Sequence, residues 1–252
     1  MDIMINTSLG FSILAMILYI FYYLKNFEFL KKISLYFLIF SWFVTLVYLV
    51  VFAFKLTRIP LSNQYESVLI LGIFMFAINL YYYLKNNRKI EILIPSFFLS
   101  PLIFSILNIL EPSFRPLMPA LRSNWLFFHV ITAMLSYSFF IIAGILGFVK
   151  LFEKDNENHY LLLKMTKIGF FMLTLGIITG AIWAESAWGR YWSWDPKETW
   201  SLITWFYYAF ILHMFKKISK KNFYIMLFIG IFFIIFTYFG VNYLLGGLHS
   251  YV

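Results

Sequence analysis

Residues 188–205 read WGRYWSWDPKETWSLITW, and how this stretch divides sets the number of times the chain crosses a membrane. Its middle carries a helix start. Asp195 stands at an N-cap position, Pro196 at the first helical position, and Glu198 at the third, where a carboxylate reaches back to cap the backbone. A helix is expected from near Pro196, running into the apolar SLITWFYYAFIL that follows. Before it lies a loop dense in indoles. Four of the 8 tryptophans fall between 188 and 200, beside Arg190, Asp195, Lys197 and Glu198, in a chain that is 12% charged.

The 252 residues are 62% hydrophobic and 23% aromatic, more apolar surface than a soluble core of this size can bury. The mean hydropathy of +0.82 agrees, and the excess must face lipid. A span needs about 20 mostly apolar residues. Eight stretches qualify, near 8–24, 33–54, 65–84, 91–110, 125–149, 165–184, 197–215 and 223–244. Lipid cannot satisfy exposed backbone groups, so the expected fold is all-α: a polytopic transmembrane helical bundle of about eight spans, one integral membrane domain over 1–252. Pro95 and Pro101 are expected to bend or shorten the fourth span. The opening MDIMINTSLG lacks a basic region and a small-residue cleavage site, so the first apolar run reads as a retained span.

The formal charge of +9 does not indicate nucleic acid, because the basic residues sit in short clusters between apolar runs. One set of loops holds Lys25, Lys31, Lys32, Lys85, Arg88, Lys89, Lys150, Lys154, Lys164, Lys167, Lys216, Lys217, Lys220 and Lys221. The other holds only Lys55, Arg58, Arg115, Arg122, Arg190 and Lys197. The richer set is cytoplasmic by the positive-inside rule. Both termini and the tryptophan loop are then expected on the outer side. There is no cysteine, hence no disulfide, no thiolate metal site and no thiol relay within the chain.

This topology sorts the four histidines. His129 lies near the outer end of the fifth span, and His249 lies outside, in the terminal GGLHSYV. Alone, His129 fits an interfacial histidine as well as a ligand, and His249 alone favours the plainer reading. Together, either side of an aromatic loop on one face, they suit the two axial positions of a haem iron. Two histidines without cysteine are too few for a closed zinc site. His213 is 17 residues beyond Pro196, about 26 Å along a helix, so it belongs near the cytoplasmic boundary. It reads either as a snorkelling histidine or as an inner binding position. His159, in the charged ENHY segment, is expected to be a solvated loop residue.

Capping accounts for Asp195 and Glu198, and an interfacial aromatic belt for Trp200 and Trp205. Trp188, Trp192, Trp194 and Arg190 remain. A large flat ligand with anionic edges uses them all: indoles against a macrocycle, and Arg190 or Lys197 paired with its carboxylates. Haem is such a ligand.

The order of these residues adds to that reading. WAESAWGRYWSWDPKETWSLITW resembles the tryptophan-rich "WWD" signature of the haem-handling family of cytochrome c assembly proteins. RIPLSNQYES at 58–67, LMPALRSNWLFFHV at 117–130, WFYYAFILH at 205–213 and FGVNYLLGGLHSYV at 239–252 extend the resemblance to CcsA (ResC) subunits of the system II cytochrome c synthase. The first two spans match only in hydrophobic character.

The resemblance implies a WWD haem-binding segment over 183–200, with Trp188, Gly189, Trp192, Trp194, Asp195 and Trp200 as a platform and Arg190 and Lys197 as propionate partners. It implies His129 and His249 as axial ligands of an outer haem b, which is both bound ligand and substrate, and His213 as the inner transmembrane position. A CcsB (ResB)-type membrane partner would complete that inner site. The chain would carry haem outward and present it to the CxxCH cysteines of apocytochrome c, as part of a holocytochrome c synthase (haem lyase) complex. The competing readings are a haem transporter or channel without attachment chemistry, and a structural subunit anchored by its tryptophans. The expected location is a bacterial cytoplasmic membrane rather than a plastid thylakoid.

Overall fold

A computed structural model of the chain describes residues 2–114, 121–152 and 159–247. Its regular structure is helical, with no strand among the described residues. The helices are α1 (Asp2–Lys25), α2 (Glu28–Leu56), α3 (Gln64–Lys85), α4 (Ile94–Ile109), α5 (Asn124–Lys150), α6 (His159–Trp188), α7 (Pro196–Met214) and α8 (Lys220–Ile235). α8 continues through a π-helical turn, Phe236–Gly240, into a last α-turn, Val241–Leu244. Seven of these elements are long and apolar enough to cross a membrane. α7 is the exception, because its 19 residues carry Lys197 and Glu198 in the first turn and His213 in the last.

Local chemistry sets the helix boundaries. Asn63 caps α3 by accepting from the Glu66 amide at 2.8 Å, and Ser123 caps α5 by accepting from the Trp125 amide at 3.2 Å. Thr57 closes α2 in the left-handed conformation at φ 54°. A 3₁₀ turn over Ile90–Leu93 precedes α4, Pro95 sits in its first turn where no amide is needed, and Pro101 is interior to its 16 residues.

The chain divides into two compact units, Met1–Arg115 and Pro116–Val252. In the first, α1 packs on α2 and α4, and α3 packs on α4. Its core is tied by polar side chains that would be costly alone in lipid. The Trp42 indole donates to Ser100 Oγ at 2.9 Å, and the Asn79 amide donates to Ser96 Oγ at 2.8 Å. Trp42 also stacks on Phe76 at 5.3 Å, over Gly72, where no side chain fits. Glu66 is fully buried yet satisfied: Arg58 grips both its oxygens at 2.8 Å, and Ser62 and Asn63 donate to them as well.

In the second unit α5 packs along α6 and α8, and α7 lies against α6 and α8. Phe140 of α5 stacks face to face on Tyr208 of α7, with centroids 3.4 Å apart. Large apolar side chains such as Phe206, Phe210 and Phe232 stay exposed, as expected of helices solvated by lipid.

One expectation is overturned. His159 is not a solvated loop residue; it opens α6 and is 9% exposed. Its ring stacks on Phe215 at 4.9 Å and meets Phe223 and Tyr224 edge-on. The turn from α7 to α8 brings these apolar rings over it, a long-range contact that outweighs the polar character of the neighbouring sequence.

Candidate functional site

The end of the second unit where α5 and α7 begin and α6 stops brings together His129 and most of the tryptophans. His129 lies in the second turn of α5 and is half-buried against α6. Its Nδ1 is 2.8 Å from the carbonyl oxygen of Gly176. A carbonyl can only accept, so Nδ1 carries a proton, and in the neutral ring the lone pair is on Nε2. The contact needs a close approach of the two helices. A Cβ on Gly180 would come within 2.5 Å of His129 Nδ1, so only glycine fits there. The ring then lies parallel to the buried indole of Trp183, at 6.0 Å and 14°. An imidazole with one nitrogen tied to a backbone carbonyl and its plane set by packing is arranged as metal-ligating histidines are.

Trp183 leads into the loop. Trp188, the last residue of α6, packs edge-on against it at 4.8 Å, within a small core that includes Leu121 and Leu126. Gly189 then turns the chain at φ +73°, its amide donating to the Glu185 carbonyl at 2.8 Å. Arg190 and Tyr191 are exposed. Trp192 and Trp194 meet at right angles, 5.9 Å apart, and Trp194 is 69% exposed.

The expected capping box is present and is more extensive than the sequence suggested. Asp195 Oδ2 accepts from the Lys197 amide at 3.0 Å, and Glu198 Oε2 accepts from the amides of Asp195 at 3.2 Å and Ser193 at 2.8 Å. The box thereby fixes the backbone on both sides of Trp194. Trp194 needs this support, because it holds φ +58°, a conformation that costs a bulky residue about 1–3 kcal/mol. An exposed indole is being held in a strained backbone by buried carboxylates.

The other candidates separate. Trp200 turns toward α8 and packs on Phe236 at 4.2 Å. The Lys197 ammonium donates to Asn242 Oδ1 at 2.9 Å and lies over the Tyr238 ring, so of the two basic candidates Arg190 is the exposed one. His213 is exposed at the far end of α7, in line with exposed Ile203, Phe206 and Phe210. His249 lies outside the described residues, as do residues 117–120 of the LMPALRSN stretch. No group of three or more His, Asp or Glu that could hold a bare metal ion occurs among the described residues. Gly176, Gly180, Tyr238 and Asn242 were not anticipated. The small-residue spacing of Gly176 and Gly180, i and i+4 on one helix, was the one signal that could have flagged a close helix contact.

Fold and site together define an integral membrane protein that holds an oriented imidazole beside a rigid, partly exposed tryptophan loop at one end of a helix bundle. Residues 2–249 match the model of the family described as cytochrome C assembly protein. The chain is 32% identical to the cytochrome c biogenesis protein CcsA of Cyanophora paradoxa, over 91% of this chain and 88% of that protein. It is 38% identical to the CcsA of Guillardia theta over 76% of each chain, and 36% identical to that of Prochlorococcus marinus over 76% and 75%. The chain belongs to the cytochrome c assembly protein family, and cytochrome c biogenesis is the process that family serves. Among solved structures it superposes on the cytochrome c heme lyase CcmF with a TM-score of 0.72 at 17% identity. That likeness is one of fold, covering 94% of this chain and 46% of CcmF, so the chain spans just under half of that structure.

Proposed function

We propose that this protein receives haem b in the membrane, holds it against residues 188–200 at the outer face, and presents it for covalent attachment to apocytochrome c. The observation that carries the reading is the bond from His129 Nδ1 to the Gly176 carbonyl, which sets the imidazole beside Trp183 and the exposed loop. The donor set suits haem: a fixed imidazole for the iron, flat indoles at Trp188, Trp192 and Trp194 for the macrocycle, and the exposed Arg190 for a propionate. His249 would supply the opposite axial ligand. Lys197, engaged by Asn242, is a weaker propionate partner than Arg190. Asp195 and Glu198 serve the site by holding Trp194 rather than by touching haem.

Attachment adds each S–H of a CxxCH motif across a haem vinyl double bond, sulfur to one carbon and hydrogen to the other. Nothing leaves and no oxidant is consumed, so the protein's task is to set vinyl groups beside thiols. Both thiols come from the apocytochrome, in keeping with a chain that has no cysteine. His213, exposed at the cytoplasmic end of α7, is the inner haem position, open to a ligand from a CcsB-type membrane partner. The test is co-expression of the chain with that partner and an apocytochrome, scored by covalent haem on the cytochrome. Attachment that requires His129 supports the proposal. Haem reaching the outer side without His129-dependent attachment would favour a transporter instead.

A further inference from the structure

α7 buries one side in the helix bundle and leaves the other open. Thr204, Tyr208 and Ile211 are fully buried, while Phe206 and Phe210 on the opposite side are exposed. His213 is exposed on that same side, because positions 206, 210 and 213 fall at i, i+4 and i+7.

The helical path does not stop at Met214. The amides of Lys217 and Ile218 donate to the Met214 carbonyl at 2.8 and 3.1 Å, and Phe215 keeps helical angles at φ −47° and ψ −43°. Lys216 and Lys217 therefore stand three and four residues past His213, the spacing at which side chains on a helix are neighbours. Lys217 falls on the stripe of Phe206, Phe210 and His213, and Lys216 flanks it. Both lysines are exposed, and among the described residues neither makes an ion pair. No Asp or Glu follows Glu198 in the sequence.

Along this face, over about 16 Å, phenyl rings give way to an imidazole and then to two ammonium groups. A haem presents the same succession: an apolar macrocycle, a central iron and, at one edge, two carboxylates. Positive charge on the cytoplasmic side asks only that lysines occur in this turn. It does not set their register, and moving Lys217 by one residue would swing it about 100° off the stripe.

We infer that Lys216 and Lys217 pair with the two propionates of a haem held at His213, setting its carboxylate edge toward the aqueous boundary and its macrocycle toward Phe210 and Phe206. This rests on the reading of His213 as the inner haem position. Lys220 and Lys221 carry the same charge nearby but belong to α8, whose Phe223 and Tyr224 turn toward His159, and they serve as the comparison.

The test uses the full chain, co-purified in detergent with its membrane partner and prepared haem-free, with His129→Gly disabling the outer ligand. Two probes are titrated and followed by absorption: haem, and its dimethyl ester, in which both carboxylates are masked. The parent should prefer haem to the ester. Lys216→Gln with Lys217→Gln should weaken haem about fivefold or more, the effect of losing two exposed ion pairs, and leave the ester unchanged. Lys216→Arg with Lys217→Arg should restore the preference, and Lys220→Gln with Lys221→Gln should bind both probes as the parent does. If the double glutamine variant does not accumulate, Lys217→Gln alone keeps the comparison.

Binding unchanged in His213→Gly would sink the inner-site reading, and the pairing with it. Binding lost in His213→Gly, with the preference for haem intact in the glutamine variant, would overturn the pairing alone. Equal losses in the two lysine pairs would overturn it in favour of diffuse surface charge. An intact preference with loss of co-purifying anionic phospholipid would overturn it in favour of a lipid headgroup site.

Discussion

His129 lies directly over Gly180, so close that a single added carbon would come within 2.5 Å of its Nδ1. The ring's orientation, its bond to Gly176 and its stacking on Trp183 all follow from that approach of α5 to α6. Gly180→Ala is therefore expected to push the imidazole out of position without touching any ligand atom. Overpacking of this kind costs about 1–3 kcal/mol. The variant should melt at a lower temperature and also lose most of its bound haem, with imidazole restoring the haem but not the melting temperature.

Trp194 offers the opposite trade. Its positive φ is unfavourable for an indole and tolerable for asparagine, so Trp194→Asn should leave the fold as stable or raise stability by about 1 kcal/mol. If the exposed indole contacts haem, the same variant should retain less of it. Thermal melting and haem-to-protein ratio, measured on one preparation, should move in opposite directions.

Glu198 holds the loop from beneath, accepting from the amides of Ser193 and Asp195. Glu198→Ala should cost about 1–2 kcal/mol as a lost cap and speed amide exchange across residues 189–195. Glu198→Gln keeps an acceptor oxygen and should sit between the two. Unchanged exchange in the alanine variant would mean that the loop is held by something else.

Trp42 provides a control in the first unit. Trp42→Phe removes the donor to Ser100 and part of a fully buried ring, and should destabilise by about 1–3 kcal/mol. The haem spectrum of whatever protein folds should match the wild type, since the candidate haem residues belong to the other unit.

Much of this architecture was legible in the sequence because its causes are local. Seven of the eight runs give helices long and apolar enough to cross a membrane, since lipid permits no other backbone arrangement for them, and the remaining run gives α7. The box of Asp195, Pro196 and Glu198 was readable because capping acts over three residues. What was hidden depends on contacts between distant segments. His129 meets Gly176 only because α5 packs along α6, and Lys197 meets Asn242 only through the turn of α8. His159 shows the cost of reading locally: charged neighbours suggested a solvated loop, while Phe215, Phe223 and Tyr224 close around it from elsewhere in the chain. Trp194 stands out in the sequence as an indole that capping and the interfacial belt leave over, but its strained backbone and the carboxylates that sustain it emerge only in three dimensions.

The measurement that bears most directly on the central claim is the absorption spectrum of the full chain, purified with its membrane partner and retained haem, with and without His129→Gly. The account predicts a six-coordinate low-spin spectrum in the wild type, its loss in the variant, and its return when imidazole fills the space left by the side chain. A low-spin spectrum unchanged by His129→Gly, or a wild type that purifies without haem under haem-replete expression, would contradict it.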